Sequence, residues 1–135
     1  MNLKIYLAGG MTTSDWQSIV INKVKGNGFI IFNPRAHQLD NSKEYTNWDM
    51  FHVGKCDVLF AYMQAANPSG IGLSLEVGYA KALNKLIILV DEKSDADITF
   101  SKYFALVREN ASIIFNSLED GIAYLLKLRN GVIEL

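Results

Sequence analysis

Five consecutive apolar residues, Leu86-Ile87-Ile88-Leu89-Val90, set the tightest limit on what this chain can fold into. A strand points its side chains alternately to the two faces of its sheet, so a run with no polar position needs cover on both. That is the pattern of a central strand in a parallel sheet with helices above and below. The run is far too short to span a bilayer, which takes about 20 apolar residues in a helix.

The rest of the sequence alternates short β-branched runs with longer amphipathic ones. Leu3–Ala8 reads as a strand ending at Gly9-Gly10. Ser14–Lys25 follows with Trp16, Ile19, Val20 and Val24 at helical spacing, with Ser14 or Thr13 as the expected cap and Gly26 and Gly28 as the stop. Phe29–Phe32 is a second strand, ended by Asn33-Pro34, and residues 36–43 are polar enough to be a loop. Tyr45–Gly54 reads as a short helix before a third strand at Asp57–Met63. A helix over 70–84 leads to the strand at Leu86–Val90. Ile98–Arg108 is read as helix, Ser112–Phe115 as a fifth strand and Leu118–Leu128 as a last helix. Five strands alternating with helices predict one α/β domain over residues 1–135, a parallel sheet with helices on both faces. Ligands of such sheets gather at the carboxyl ends of the strands, here near 9–14, 33–35, 63–72 and 91–97.

Charge and cysteine content narrow the function classes. The formal net charge is −1 and the basic residues are scattered, so neither nucleic acid nor an anionic membrane is an expected partner. Cys56 is the single cysteine, which rules out a disulfide framework and fits a small core residue. The start of the chain has neither the length nor the cleavage pattern of a signal peptide, and the expected location is cytoplasmic. His37 and His52 lack Cys or His partners at zinc spacing and read as structural or surface residues. No third glycine follows Gly9-Gly10 at dinucleotide spacing, and there is no Walker pattern and no G-x-S-x-G elbow. Gly9-Gly10 is therefore either a ligand approach or a tight strand–helix turn.

Glu76 is the anomaly. It stands next to the apolar side of its helix formed by Leu73, Val77 and Ala80, with no Lys or Arg three or four residues away. A helical glutamate is ordinarily solvated and favoured by the helix dipole. Here the site falls at a strand carboxyl end, behind Gly70 and Gly72, which allow close backbone approach. Asp49 lies beside Trp48, which could shelter a base-like ring; its alternative is a surface helix residue. Asp57 opens a strand, where a local bridge is its expected role. A carboxylate in an apolar setting, a strand tyrosine and a second carboxylate suit glycosidic chemistry, in which one carboxylate attacks the anomeric carbon and the other handles the leaving base's proton.

In IYLAGG (5–10), WD (48–49), CDVLFAYM (56–63) and GIGLSLEVGYAKALNK (70–85) the chain resembles the nucleoside 2-deoxyribosyltransferases and related deoxynucleoside 5′-monophosphate N-glycosidases. The resemblance implies a flavodoxin-like or Rossmann-like three-layer sandwich with a five-stranded parallel sheet. It implies Glu76 as nucleophile, Tyr6 as the hydroxyl that positions it, and Asp49 as the group that contacts and protonates the base. It implies substrate contacts from Gly9, Gly10, Gly70 and Gly72. Asn110 loosely matches a residue offered to a neighbouring subunit's site. Homo-oligomers, dimers or dimer-based, with shared active sites are implied, as are a 2′-deoxynucleoside and a free nucleobase as substrates, with no cofactor or metal. Two departures stand out. Where the transferases carry an aspartate six residues before the nucleophile, this chain has Gly70, with Asn67 and Ser69 the nearest polar substitutes. Where the hydrolases hold a phosphate with serine and arginine after the first strand, it has Gly10 and Thr12, and Arg35 is read as a structural pair before a phosphate contact. Base transfer is the leading expectation; hydrolysis and non-catalytic nucleotide binding are the alternatives.

Overall fold

The computed structural model describes residues 2–66 and 70–135. Among them, β1 (Lys4–Gly9), β2 (Ile30–Phe32), β3 (Val58–Met63), β4 (Leu86–Asp91) and β5 (Ile113–Phe115) form one sheet in the order β2-β1-β3-β4-β5. Every pairing is parallel. Helix α1 (Trp16–Val24) joins β1 to β2, α2 (Ser42–Lys55) joins β2 to β3, and α3 (Ile71–Ala82) joins β3 to β4. Two short helices, α4 (Ile98–Tyr103) and α5 (Ala105–Asn110), precede β5, and α6 (Leu118–Lys127) follows it. The chain reverses its direction of travel across the sheet between β1 and β3, which is the flavodoxin-like order and the expected fold.

Strand alternation divides the core in two. Ile5 and Leu7 of β1, Phe60 of β3 and Ile88 of β4 meet Trp16 and Val20 of α1 and Ile122 and Leu125 of α6. Their neighbours Tyr6, Leu59, Ala61, Ile87 and Leu89 face the other way, onto Val53 of α2, Leu73, Val77 and Ala80 of α3, and Val107 of α5. Ile87 through Val90 are fully buried, as a strand covered on both faces must be. Among the described residues no helix is long and apolar enough to cross a membrane.

The element boundaries differ from the sequence reading where a local hydrogen bond decides them. Asp15, not Ser14 or Thr13, caps α1: its carboxylate accepts from the Ser18 amide at 3.2 Å and the Ser18 hydroxyl at 2.8 Å. Helix α2 begins three residues before Tyr45, because Asn41 accepts from the amides of Lys43 and Glu44. Residues 34–36 wind into a 3-10 turn at Pro34, capped by Asn33. The segment 98–108 is two helices, broken at Phe104, whose ring turns inward against Gly70. Asp57 accepts from the Lys4 amide at 2.9 Å, tying the starts of β1 and β3.

Gly9 ends β1 with φ +156°, and a Cβ there would come within 2.8 Å of both the Trp16 ring and the Tyr62 carbonyl. The carbonyl belongs to the paired strand and cannot yield. We expect Gly9→Ala to lower unfolding stability by about 1–3 kcal/mol, read as a drop in denaturant midpoint at unchanged slope.

Candidate active site

At the carboxyl end of β1, beside the point where strand order reverses, a cleft of about 400 Å³ opens between the β1–α1 loop, α2 and the start of α3. Its size is that of a small-molecule site. Tyr6, Gly9, Gly10, Asp49, Gly70, Gly72 and Glu76 all line it, so residues from three separate stretches of sequence meet there.

Glu76 reaches the cleft from the wrong side of a helix. Leu73, Glu76, Val77 and Ala80 make up the buried face of α3, and Glu76 is only 8% exposed. Its Oε2 accepts a 2.5 Å hydrogen bond from the Tyr6 hydroxyl. Tyr6 sits mid-strand between Phe32 of β2 and Leu59 of β3, so its direction is fixed by the sheet itself. Burial pushes the Glu76 carboxyl up to about 7; the Tyr6 hydrogen bond opposes that rise and the charge of Asp49 adds to it. Burial, then the Glu76 charge, raises the Tyr6 phenol as well, keeping it a hydrogen-bond donor.

The start of α3 explains the glycine that departs from the transferase pattern. A Cβ on Gly70 would lie 2.6 Å from the Phe104 ring. The space an aspartate needs is occupied by an aromatic from the α4–α5 junction. The Gly70 carbonyl accepts from the Ser74 hydroxyl at 2.5 Å, which closes the first turn. Asn67 and Ser69, the polar substitutes anticipated here, lie outside the described residues.

Asp49 approaches from α2. Burial raises its carboxyl, against the lowering influence of His37 and Tyr6. Trp48 does not line the cleft as a base shelter; it packs behind, stacked on His52 with ring centroids 4.0 Å apart. The aromatic that does line it is Tyr45, one turn earlier on the same helix. His37 corrects the sequence reading more sharply. It is part of the cleft wall, with Nε2 3.6 Å from Asp49 Oδ1. Metal-ligand spacing was the wrong signal for it, since its partner is a single carboxylate twelve residues on.

The β1–α1 loop is held from outside the cleft. Gly10 O accepts from Trp16 Nε1 at 2.9 Å and Gln17 Nε2 at 3.1 Å. Arg35 donates to the carbonyls of Met11 and Ser14 at 2.8 and 2.9 Å and lies 3.6 Å from Asp15. Its guanidinium thus braces the loop, and no Lys or Arg is among the described cleft residues. Asn110 lies away from this chain's cleft, donating to the Leu106 carbonyl within α5. Among the described residues no group of three or more His, Cys, Asp or Glu is placed to hold a metal ion.

Residues 2–94 match the family model described as "Nucleoside 2-deoxyribosyltransferase like". The chain belongs to that family. Membership supports an enzyme that transfers or hydrolyses a glycosyl group of nucleosides. Its fold is shared by a 2-desoxiribosyltransferase from Leishmania mexicana, at a TM-score of 0.74 and 16% identity over 96% of this chain and 99% of that one. A conserved protein from Enterococcus faecalis V583 superposes at 0.70, with 17% identity over 96% and 99%. The Clostridium botulinum CMP N-glycosidase BcmB does so at 0.63, with 20% identity over 90% and 97%. No curated protein sequence matches the chain.

A carboxyl whose folded value lies above its unfolded one binds its proton more tightly in the folded state. Its ionisation therefore opposes folding: the penalty is absent below about pH 4.5, grows through about pH 7 and is then complete. We expect Glu76→Gln, which can still accept from Tyr6, to be more stable than the natural protein at pH 8 by up to about 3 kcal/mol. In thermal unfolding the gap should shrink toward pH 5.

Proposed function

We propose that this protein is a nucleoside 2-deoxyribosyltransferase that forms a covalent Glu76–deoxyribosyl intermediate. The observation that carries the reading is the Tyr6–Glu76 hydrogen bond in the cleft, with Asp49 alongside. A Glu76 oxygen attacks C1′ of the 2-deoxyribose. The C1′–N bond breaks, its electron pair goes to the base nitrogen, and that nitrogen takes a proton from Asp49. An incoming base nitrogen then attacks C1′, the bond from C1′ to the Glu76 oxygen breaks with its electron pair returning to the carboxylate, and the base gives its proton to Asp49. Two displacements at one carbon give net retention, so the product is the β-nucleoside. Tyr6 keeps Glu76 aimed without taking its proton away. The chemistry calls on no cofactor or metal.

The cleft supports an uncharged nucleoside over its 5′-monophosphate. Two carboxyl groups line it, and Arg35, which braces the β1–α1 loop of the cleft, is engaged by Met11, Ser14 and Asp15. The domain takes in all of 1–135, because β5 and α6 complete the sheet and its cover beyond the matched residues.

A second copy of the chain completes the assembly in this reading. Ile71, Leu75 and Tyr79 form a stripe at four-residue spacing on the outer side of α3, and Ile71 and Leu75 are 87% and 62% exposed. Leu106 of α5, one turn before Asn110, is 78% exposed. An apolar stripe beside the cleft mouth suits a dimer in which Asn110 is offered to the neighbour's site.

Four experiments test the proposal. Incubation of a 2′-deoxynucleoside with a free acceptor base should yield the exchanged nucleoside; free deoxyribose released at one rate with or without acceptor would make the protein a hydrolase instead. Glu76→Ala should abolish exchange while the fold survives, and near-normal activity would defeat the mechanism. Because the productive form holds one proton between Glu76 and Asp49, kcat/KM should fall as pH rises past about 7, where the last proton leaves the pair. In Asp49→Asn that alkaline limb should vanish and activity drop by about 100-fold or more. Light scattering after size-exclusion chromatography should give a dimer, and Leu75→Lys should give a monomer.

A further inference from the structure

His37 is held more firmly than a wall residue requires. The Leu39 amide donates to its Nδ1 at 2.9 Å. That tight turn puts Gln38 at φ +55°, a left-handed conformation that side chains other than glycine adopt only at a cost. On its other side the ring meets Trp48 edge-on, with centroids 4.9 Å apart, and Trp48 is itself stacked on His52. With Nδ1 used as an acceptor, the ring hydrogen of the neutral imidazole belongs on Nε2, the nitrogen that faces Asp49. Asp49 Oδ1, 3.6 Å away, is buried and has no hydrogen-bond partner. A fixed donor and an unsatisfied buried acceptor thus stand just beyond bonding distance, as catalytic groups often do before substrate draws a site together.

We propose that His37 is a positioning residue for the glycosidic reaction: its Nε2–H closes on Asp49 Oδ1, so that the transferable proton of Asp49 is carried on Oδ2, toward the leaving base. The inference rests on the reading of Asp49 as the proton donor. When the C1′–N bond breaks, the base nitrogen takes the Oδ2 proton, and the carboxylate left behind keeps its Oδ1 hydrogen bond. His37 neither gains nor loses a proton in the step. The other titratable groups facing Asp49 are Tyr6 from β1, Glu76 from α3 and His52 from α2 itself, and none of them is held against Oδ1.

Two variants separate this role from packing. His37→Phe keeps a ring against Trp48 and removes the Nε2–H, whereas His37→Gln restores an N–H at similar reach. With a 2′-deoxynucleoside, His37→Phe should lower kcat by about tenfold or more with KM changed by less than about threefold, and His37→Gln should recover most of the loss. The acid limb of kcat/KM should move to higher pH in His37→Phe, because the Asp49 carboxylate loses a stabilising donor. With 2-deoxyribosyl fluoride, whose leaving group departs without a proton, His37→Phe should match the natural protein. Nitrogen-15 NMR, which needs no turnover, should find the Nε2–H tautomer at His37. The inference is overturned by the Nδ1–H tautomer, by an unchanged kcat and pH profile in His37→Phe, by His37→Gln no better than His37→Phe, or by an equal loss on the fluoride. If Asp49→Asn keeps the natural rate, the proton-donor reading has failed and this inference with it. If Asp49→Asn is impaired and His37→Phe is not, only the role of His37 falls.

Discussion

A carboxylate on the buried face of a helix needs a partner, and for Glu76 that partner is the Tyr6 hydroxyl, 2.5 Å away. The rest of the site depends on this bond. Tyr6 cannot swing, because Phe32 and Leu59 stand beside it on the neighbouring strands. Helix α3 cannot turn its polar residue outward without exposing Leu73, Val77 and Ala80, which seat it on the sheet. The burial that anchors the helix therefore also holds Glu76 in the cleft. The same burial lifts its carboxyl to about 7, so the ionised group opposes the stability of the fold that places it.

The surroundings of the pair are arranged by exclusion as much as by contact. Phe104 fills the space beside Gly70, leaving no room for a third carboxylate at the head of α3. Arg35 is drawn into bracing the β1–α1 loop, which leaves the described cleft wall without a cation. The sandwich itself survives at 16–20% identity to relatives of known structure, since strand alternation and helix cover can be met by many apolar sequences.

Much of this was legible along the chain. Short apolar runs locate the five strands and period-3.6 patterns the helices that cover them, apart from the break at Phe104 that splits 98–108 in two, because each element buries one face or two. Glu76 stood out for a related reason, as a polar residue beside an apolar stripe. Gly9-Gly10 was legible as a ligand approach or a tight turn, whereas the pairing of Tyr6 with Glu76 was legible only through the company they keep in the family's motifs. What escaped were features set by contacts between distant residues. Trp48, expected at the cleft, packs behind it and Tyr45 lines the wall instead, because the rotation of α2 depends on what packs behind it. His37 carried no motif, and its meeting with Asp49 needs a left-handed Gln38 that no local pattern announces. Asn41 did carry a signal, an Asn three residues before Glu44, and it accounts for the early start of α2.

The sequence by itself determined the layers: a five-residue apolar strand demands cover on both faces, and the spacing of apolar residues says which helix faces supply it. It also singled out the one carboxylate that breaks such a face. Only the tertiary structure decided what that carboxylate meets. Strand order put β1 beside β3, and so Tyr6 under α3. Helix packing brought Asp49 and His37 to the same cleft and took Arg35 out of it. The physical reason is range: alternation and capping are fixed by neighbours a few residues apart, whereas a site is made of side chains whose separation is settled when the sheet closes and the helices dock.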